Sequence, residues 1–182
     1  MRREQILSAA IPVFGRFGFK KTSVDDLAAA ADLSKQGLYL HFTSKEEIFL
    51  AAMQKYLDDG LVLVQGELAK PGVPLVDRLT SALDAWFGRH LATFTPAAFD
   101  VIEAGNALSG EAIEGYKSTF QAKVAKALAD SPEFKRTQNV CTPKEIAQVL
   151  FLVGLTWKEG HPSRAEFMKK IALCVRACCQ IP

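Results

Sequence analysis

The sequence predicts an all-α protein of about nine helices. Apolar residues recur at spacings of three and four almost throughout, and the alternation that marks a strand is nowhere sustained. Turn residues divide this pattern into segments, most clearly at the Pro-Gly-Val-Pro sequence of residues 71–74. With 182 residues, 49% hydrophobic and 23% charged, the chain can bury one large core or two small ones. This composition excludes an intrinsically disordered protein.

The spacing and the turn residues together set the predicted helices. In chain order, the first five cover residues 6–17, 24–31, 35–41, 45 to about 70, and 75–91. The sixth runs from residue 95 to a turn at 106–110, and the seventh from that turn to 129. The last two cover residues 143–158 and 163–180. Gly18 ends the first helix, and Pro12 inside it is expected to bend it. Ser34 caps the third, and Ser44 with Glu47 has the spacing of a capping box that opens the fourth.

Residues 24–41 predict a helix-turn-helix, because two short helices are separated by a tight turn at residues 32–34. Helical periodicity turns Leu38 and Phe42 inward and places Gln36 and Leu40 on the opposite face, beside Gly37 and Tyr39. An outward leucine breaks the polar pattern of a surface helix. Contact with DNA bases explains it, since leucine can meet a thymine methyl and glutamine can bind an adenine edge.

Side chains suited to phosphate surround this face. They are Thr22, Ser23, Ser34, Lys35, Tyr39, His41 and Lys45. Taken alone, His41 could equally be a helix-end histidine and Tyr39 a cover for the core edge. The net charge of the whole chain is only +2. DNA affinity would therefore depend on geometry and on two copies binding together.

The segment TSVDDLAAAADLSKQGLYLHFTSKEEIFLAAM, preceded by ILSAAIPVFGRFGF, resembles the DNA-binding domain of the TetR family of bacterial transcriptional regulators. The resemblance implies a homodimer that binds a near-palindromic operator, usually as a repressor, and a small molecule in the C-terminal domain that releases the DNA. It also implies a DNA-binding domain over residues 1–47 and a ligand-binding and dimerisation domain over 48–182. By motif position, bases are read by Gln36 and Gly37, with Leu40 as a further candidate, and phosphates are held by Thr22, Lys35, Tyr39, His41 and Lys45.

Two departures from the family pattern carry expectations of their own. Asp32 stands where the turn usually has glycine, and aspartate tolerates a left-handed backbone better than most residues. Gln36 replaces a small residue, which is expected to change the preferred operator but not the ability to bind DNA.

The C-terminal part is rich in aromatic residues that could line a cavity for an apolar or aromatic effector. The candidates are Trp86, Phe87, His90, Phe94, Phe99, Phe120, Phe151 and Trp157. His90 is the polar candidate for orienting such a ligand. Core packing is the alternative for every one of these residues.

The last two helices are the predicted homodimer surface, by analogy with the family. Their apolar stripes consist of Ile146, Val149, Leu150, Val153 and Trp157, and of Phe167, Ile171, Cys174, Val175 and Cys178. A monomer core would need the same stripes. Cys141, Cys174, Cys178 and Cys179 fit neither a disulfide framework nor paired CxxC blocks, so reduced packed thiols are expected, with a thiol sensor as the alternative.

Several classes of protein are excluded by what the sequence lacks. HExxH, GxSxG and P-loop motifs are absent, so we expect no enzyme, no cofactor and no metal. No apolar run approaches the roughly 18 residues of a membrane span, and charges interrupt the N-terminal apolar segment, so a cytoplasmic protein is expected. A ligand-binding module that has lost operator binding remains the rival interpretation.

Overall fold

The computed structural model describes residues 2–89, 91, 99–159 and 163–180, and within these ranges every regular element is helical. The α-helices are α1 Arg2–Phe17, α2 Val24–Ala30, α3 Lys35–Tyr39, α4 Lys45–Leu68, α5 Leu75–Leu83, α6 Phe99–Asp130, α7 Pro132–Lys135, α8 Pro143–Glu159 and α9 Arg164–Cys179. A π-helical turn, Asp84–Gly88, follows α5. The predicted all-α class is confirmed.

The chain forms two compact units. The N-terminal unit comprises the described residues of Met1–Asp59 and Thr93–Ile113, and the C-terminal unit those of Gly60–Ala92 and Glu114–Pro182. No helix in the part of the chain that the structure describes is long and apolar enough to cross a membrane.

The N-terminal unit is built around one apolar core. It buries Ile6, Leu7, Ala10 and Phe14 of α1, Leu27 and Ala28 of α2, Leu38, Phe42, Ile48, Phe49 and Ala52, and Val101 of α6. The rings of Phe14 and Phe49 meet edge to face at 5.1 Å between centroids. Pro12 lies inside α1 on its exposed side, and the bend expected there stays a prediction.

Local sequence accounts for the ends of the first helices. Gly18 has φ of 82°, and its N–H donates to the Phe14 carbonyl at 2.8 Å, so it closes α1 as predicted. Ser23 caps α2, and Asp26 completes the capping box by accepting from the Ser23 backbone N–H at 2.9 Å.

Asp32 closes α2 in the left-handed conformation, with φ of 54°. The following N–H, of Leu33, donates to the Ala28 carbonyl at 2.9 Å, which is the six-to-one bond of a Schellman motif. The turn therefore forms with aspartate in the place of glycine, as the sequence predicted.

The C-terminal unit packs α5 against α8 and α9. The π-helical turn carries a buried carboxylate, Asp84, which accepts from Arg164 Nε at 3.0 and 3.2 Å and from Arg164 Nη2. Gly88 leaves the space that the Asp84 carboxylate occupies, because a Cβ at Gly88 would overlap Asp84 Oδ1. Sequence spacing gave no sign of this turn.

One predicted feature of the C-terminal half is wrong, and a second differs in detail. Helix α6 runs without a break through residues 106–110, where a turn was expected. Low-propensity residues cost less than about 1 kcal/mol each, which the rest of a long helix can override. The predicted helix 75–91 is helical at every described residue, but its geometry changes from α to π over Asp84–Gly88.

One short helix, α7, was missed within a predicted polar connection. Ser131 caps it and Pro132 occupies its first turn, which is a known helix-start pattern. The helix predicted to begin at Thr95-Pro96 starts outside the described residues.

Candidate nucleic-acid interface

Helix α3 presents large side chains to solvent on one face. Leu40, its C-cap residue, is 84% exposed, and Tyr39 is 47% exposed. Leu38, on the opposite face of the helix, is fully buried. Gln36 is exposed on the same side as Leu40. The structure thus brings together Gln36, Tyr39 and Leu40 at one surface, and Leu38 anchors that surface to the core.

The start of α3 is fixed by its cap. Ser34 Oγ accepts from the Gly37 N–H at 3.0 Å, so the serine predicted as a phosphate contact is also the N-cap. A Cβ at Gly37 would lie 3.3 Å from Ser34 Oγ. Glycine at this position therefore leaves the Ser34 cap undisturbed and allows a partner to come close to the helix backbone.

Lys35 is held beside α2. Its Nζ lies 3.0 Å from Asp25 Oδ2, and both side chains are more than half exposed. Hydrogen bonding to Asp25 raises the pKa of Lys35. Because water screens such an exposed pair, a phosphate could replace the carboxylate at little cost.

Two other predicted phosphate contacts are engaged within the protein. Thr22 is buried, and its hydroxyl donates to the Gly18 carbonyl at 2.6 Å. Lys45 Nζ donates to the carbonyls of Phe19 and Thr22 at 2.9 and 3.1 Å and lies 4.5 Å from the centre of the Phe19 ring. Lys45 thereby ties the loop before α2 to the start of α4.

These contacts limit how Thr22 and Lys45 could serve DNA. With its hydroxyl proton used, Thr22 could reach phosphate only through its backbone N–H. Lys45 retains one of its three ammonium donors. Ser23 is exposed, with its hydroxyl donating to Asp26 at 2.6 Å. The phosphate contacts of all three stay predictions.

Sequence reasoning missed Arg3, which orders the end of α3. Its Nη1 donates to the carbonyl of half-buried His41 at 2.5 Å, and its Nη2 contacts Glu47 Oε1 at 2.7 Å. The Arg3 guanidinium also lies 4.0 Å from the centre of the Phe42 ring. Arg3 thus joins α1, the segment after α3 and α4, and no local pattern signals a contact across 38 residues.

Glu47 is the acidic partner in this network. Its Oε2 accepts from the N–H and the hydroxyl of Thr43 at 2.7 and 2.9 Å. The Thr43 N–H bond, followed by the Arg3 bond, lowers the pKa of Glu47 to about 2. Ser44 Oγ accepts from the Glu47 N–H at 3.1 Å. Only half of the predicted capping box therefore forms, because the Glu47 side chain accepts from Thr43 and not from the Ser44 N–H.

The predicted effector residues are only partly brought together. Trp86, Phe87, Phe120 and Phe151 form a buried group with ring centroids 5.2–5.8 Å apart, which we call the aromatic cluster. Trp157 is half-buried on α8. His90 and Phe94 lie outside the described residues, and of Phe99 only its place as the first residue of α6 is described.

A groove of about 500 Å³ lies elsewhere in the C-terminal unit, between the end of α4, α5, α6 and the start of α7. Charged and apolar side chains both line it, among them Arg78, Lys123, Lys126 and Asp130, and Leu68, Ala122, Ala127 and Pro132. Gln65 and Lys123 are joined across it at 3.0 Å. None of the predicted effector residues lines this groove.

The cysteines are free thiols in the structure. Cys174 Sγ lies 3.8 Å from Cys178 Sγ, one helical turn away on α9. Burial raises the pKa of Cys174 to about 11 and that of Cys179 to about 12. The thiol-sensor alternative stays a prediction.

Comparisons with known proteins agree with the geometry of α1 to α4. Residues 6–52 match the model of the tetR family of bacterial regulatory proteins. The HTH-type transcriptional activator FasR of Mycolicibacterium smegmatis is 38% identical over 176 residues, which span 96% of this chain and 69% of that protein. The uncharacterized HTH-type transcriptional regulator YezE of Bacillus subtilis is 36% identical over 67 residues, which span 37% of this chain and 34% of that one.

Solved structures share the whole fold. The reduced form of Escherichia coli NemR has a TM-score of 0.78 at 18% identity and covers all of both chains. A transcriptional regulator from Rhodococcus sp. RHA1 has a TM-score of 0.72 at 15% identity, covering 98% of this chain and 96% of that one. FasR, YezE and the Rhodococcus protein are transcriptional regulators and not enzymes. The helix-turn-helix geometry and these matches together show that the chain is a DNA-binding transcriptional regulator of the TetR family.

Proposed function

We propose that the protein binds a near-palindromic operator as a homodimer and releases it when a small effector binds the C-terminal unit. The exposed face of α3 carries the proposal. Leu40, Tyr39 and Gln36 project from a short helix whose opposite side is anchored by buried Leu38. Two such helices would enter successive major grooves about 34–36 Å apart. Because the DNA of a bacterium lies in the cytoplasm, the protein would act there.

The first experiment recovers the operator by selecting bound duplexes from a random pool. Gln36→Ala should then weaken binding by about tenfold to a hundredfold and relax selectivity at one base pair of each half-site. Lys35→Ala is the matched control for a phosphate contact, since it should weaken binding to all sequences and lower the salt slope by about 0.9 for each half-site. Equal loss on every sequence for Gln36→Ala would contradict the base-reading role.

The rival interpretation, a module that has lost operator binding, predicts a different result. Retention of duplexes would then depend on neither their sequence nor the α3 residues. A palindromic selected sequence that loses binding upon substitution of Gln36 excludes that rival.

Homodimerisation through α8 and α9 is supported by apolar residues left exposed there. Val149 and Leu152 of α8 are 45% and 57% exposed, and Leu173 of α9 is 68% exposed. Five of the ten predicted stripe residues are instead buried within the chain: Ile146, Leu150, Phe167, Ile171 and Val175. Leu152→Glu with Leu173→Glu should yield monomers in sedimentation, and a dimer that survives both changes would contradict this surface.

The sign of regulation is proposed to be repression, as the family resemblance implies. Activation is the second candidate, because the relative similar over 96% of this chain is named an activator. A reporter downstream of the selected operator distinguishes the two. Expression that rises when the gene is deleted supports repression, and expression that falls supports activation.

An apolar or aromatic effector is proposed from the number of aromatic side chains in the C-terminal unit. Its binding should raise the melting temperature and lower operator affinity, and each tenfold loss of affinity requires about 1.4 kcal/mol of coupling. Ligands found in a thermal-shift screen should lose effect with His90→Ala or Trp157→Ala. If polar ligands release DNA and lose this effect only with Lys123→Ala, the effector site would instead be the groove lined by Arg78 and Lys123.

A further inference from the structure

The last two turns of α9 carry a pair of thiols, Cys174 and Cys178, in a geometry that the DNA-binding function leaves unexplained. Cys174 and Cys178 are both half-buried, and their Sγ atoms are 3.8 Å apart. We propose that this pair binds a soft divalent cation of the Zn²⁺ or Cd²⁺ type, with both thiols as ligands.

The sulfur separation suits a tetrahedral metal. Two thiolates bound at about 2.3 Å with a tetrahedral angle between them lie about 3.8 Å apart, which matches the distance between the Cys174 and Cys178 sulfurs. A linear two-coordinate metal at the same bond length would hold them about 4.6 Å apart. The pair is thus set for a tetrahedral cation before any metal binds.

A disulfide fits the same pair poorly. The sulfurs would have to close from 3.8 Å to about 2.0 Å. Side chains four residues apart on a helix also have Cβ atoms about 5–6 Å apart, whereas a disulfide holds them at about 3.5–4.5 Å. Metal binding requires neither change, because the cation spans the gap between the sulfurs.

The surroundings hold the pair in place and favour a cation. Asn139 Nδ2 donates to the Cys178 carbonyl at 2.6 Å, and Gln180 ends the helix in the left-handed conformation. The pair lies at the negative end of the α9 dipole, where positive charge is stabilised. Asn139 therefore fixes the backbone that carries Cys178.

The described residues supply two ligands. Within the described ranges, no three His, Cys, Asp or Glu side chains are grouped closely enough to hold a metal, so Cys141 stands outside the site. Two coordination positions are left for water or small thiols, or for the same pair of a second copy. Binding breaks two S–H bonds, forms two metal–sulfur bonds and releases two protons, with no electron transfer.

The test titrates the reduced full chain with Cd²⁺ and records thiolate-to-metal absorption in the ultraviolet. The wild type should saturate, and Cys174→Ser and Cys178→Ser should each lose most of the absorption. Cys141→Ser is the matched control, and it should keep the wild-type signal because its thiol is exposed and outside the pair. Excess Zn²⁺ should abolish the Cd²⁺ signal. Equal signals in all variants, or no saturation in the wild type, would overturn the proposal.

A second measurement needs no variant and covers the case of serine variants that fail to fold. Cd²⁺ should protect Cys174 and Cys178 of the wild type from alkylation and leave Cys141 reactive, as read by mass spectrometry of peptides. Equal alkylation of the three thiols with and without Cd²⁺ would reject the site.

Discussion

Helix α3 and the aromatic cluster both carry large apolar side chains, and they differ in where those side chains find partners. Leu40 is the C-cap residue of α3, a helix of only five residues, and it projects into solvent. Phe120, in contrast, is surrounded by Trp86, Phe87 and Phe151 and is fully buried. An apolar side chain already packed within the fold contributes stability, whereas exposed Leu40 lies beside exposed Tyr39 and Gln36 at a surface that is open to a partner.

The largest expected effect is a difference in stability between alanine variants of two neighbouring leucines, Leu38 and Leu40. Leu38→Ala should destabilise the protein by about 2–5 kcal/mol, because it leaves a cavity in the N-terminal core. Leu40→Ala should change stability by less than about 0.5 kcal/mol and weaken operator binding by about tenfold. Urea unfolding and DNA titration of both variants measure the contrast. Similar losses of stability in the two variants would contradict the assignment of Leu38 to the core and Leu40 to the DNA contact.

The next prediction asks whether the aromatic cluster is tightly packed core or has space beside it for a ligand. A Cβ at buried Gly154 would overlap the Phe87 ring, so Gly154→Ala should cost about 1–3 kcal/mol if the cluster cannot yield. At Gly115 of α6 an added Cβ meets nothing within 4 Å. Gly115→Ala should therefore stabilise the protein by about 0.5–1 kcal/mol, as alanine does in a helix. A harmless Gly154→Ala would favour open space beside Phe87 and with it the effector hypothesis.

The two regions also differ in how well the sequence predicted them. For α3, helical periodicity predicted the register, and the outward Leu40 and the cap Ser34 confirm it. The base and phosphate contacts of these residues stay predictions. For the C-terminal unit, periodicity gave helices and aromatic content only. Whether Phe120 lines a space or fills one depends on packing between distant segments, which no local pattern records.

Contacts between distant residues explain the other failures. The Arg3 bonds to His41 and Glu47 and the Arg164 bonds to Asp84 join residues 38 to 80 positions apart. The π-helical turn depends on one of them, through buried Asp84. The Ser131 cap is a local signal for α7, but the polar residues that follow it favoured a connecting loop in the prediction.

Acid pH should weaken the Arg3–Glu47 network that orders the end of α3. The pKa of Glu47 falls from 4.5 to about 2 in the folded protein, so its contribution is present above pH 4.5 and is lost as the pH falls towards 2. Glu47→Gln should therefore be less stable than the wild type at pH 6 and approach it near pH 2. Exposed Glu46→Gln is the matched control. Denaturant midpoints at low salt measure the difference, and parallel pH curves for Glu47→Gln and wild type would contradict it.

The smallest effect concerns the turn that sets α3 against α2. Asp32 adopts φ of 54°, where glycine has no steric penalty and most other residues lose about 1–2 kcal/mol. Aspartate tolerates this conformation in part, and glycine gives up more chain entropy on folding, so Asp32→Gly should stabilise the protein by only about 0.5 kcal/mol. Asp32→Ala, with a Cβ and no compensating polar group, should destabilise it by about 1 kcal/mol. Thermal unfolding of the pair decides the point. If alanine proved as stable as glycine at this position, the left-handed backbone would not be what the turn demands, and the reason for aspartate there would lie in its charge.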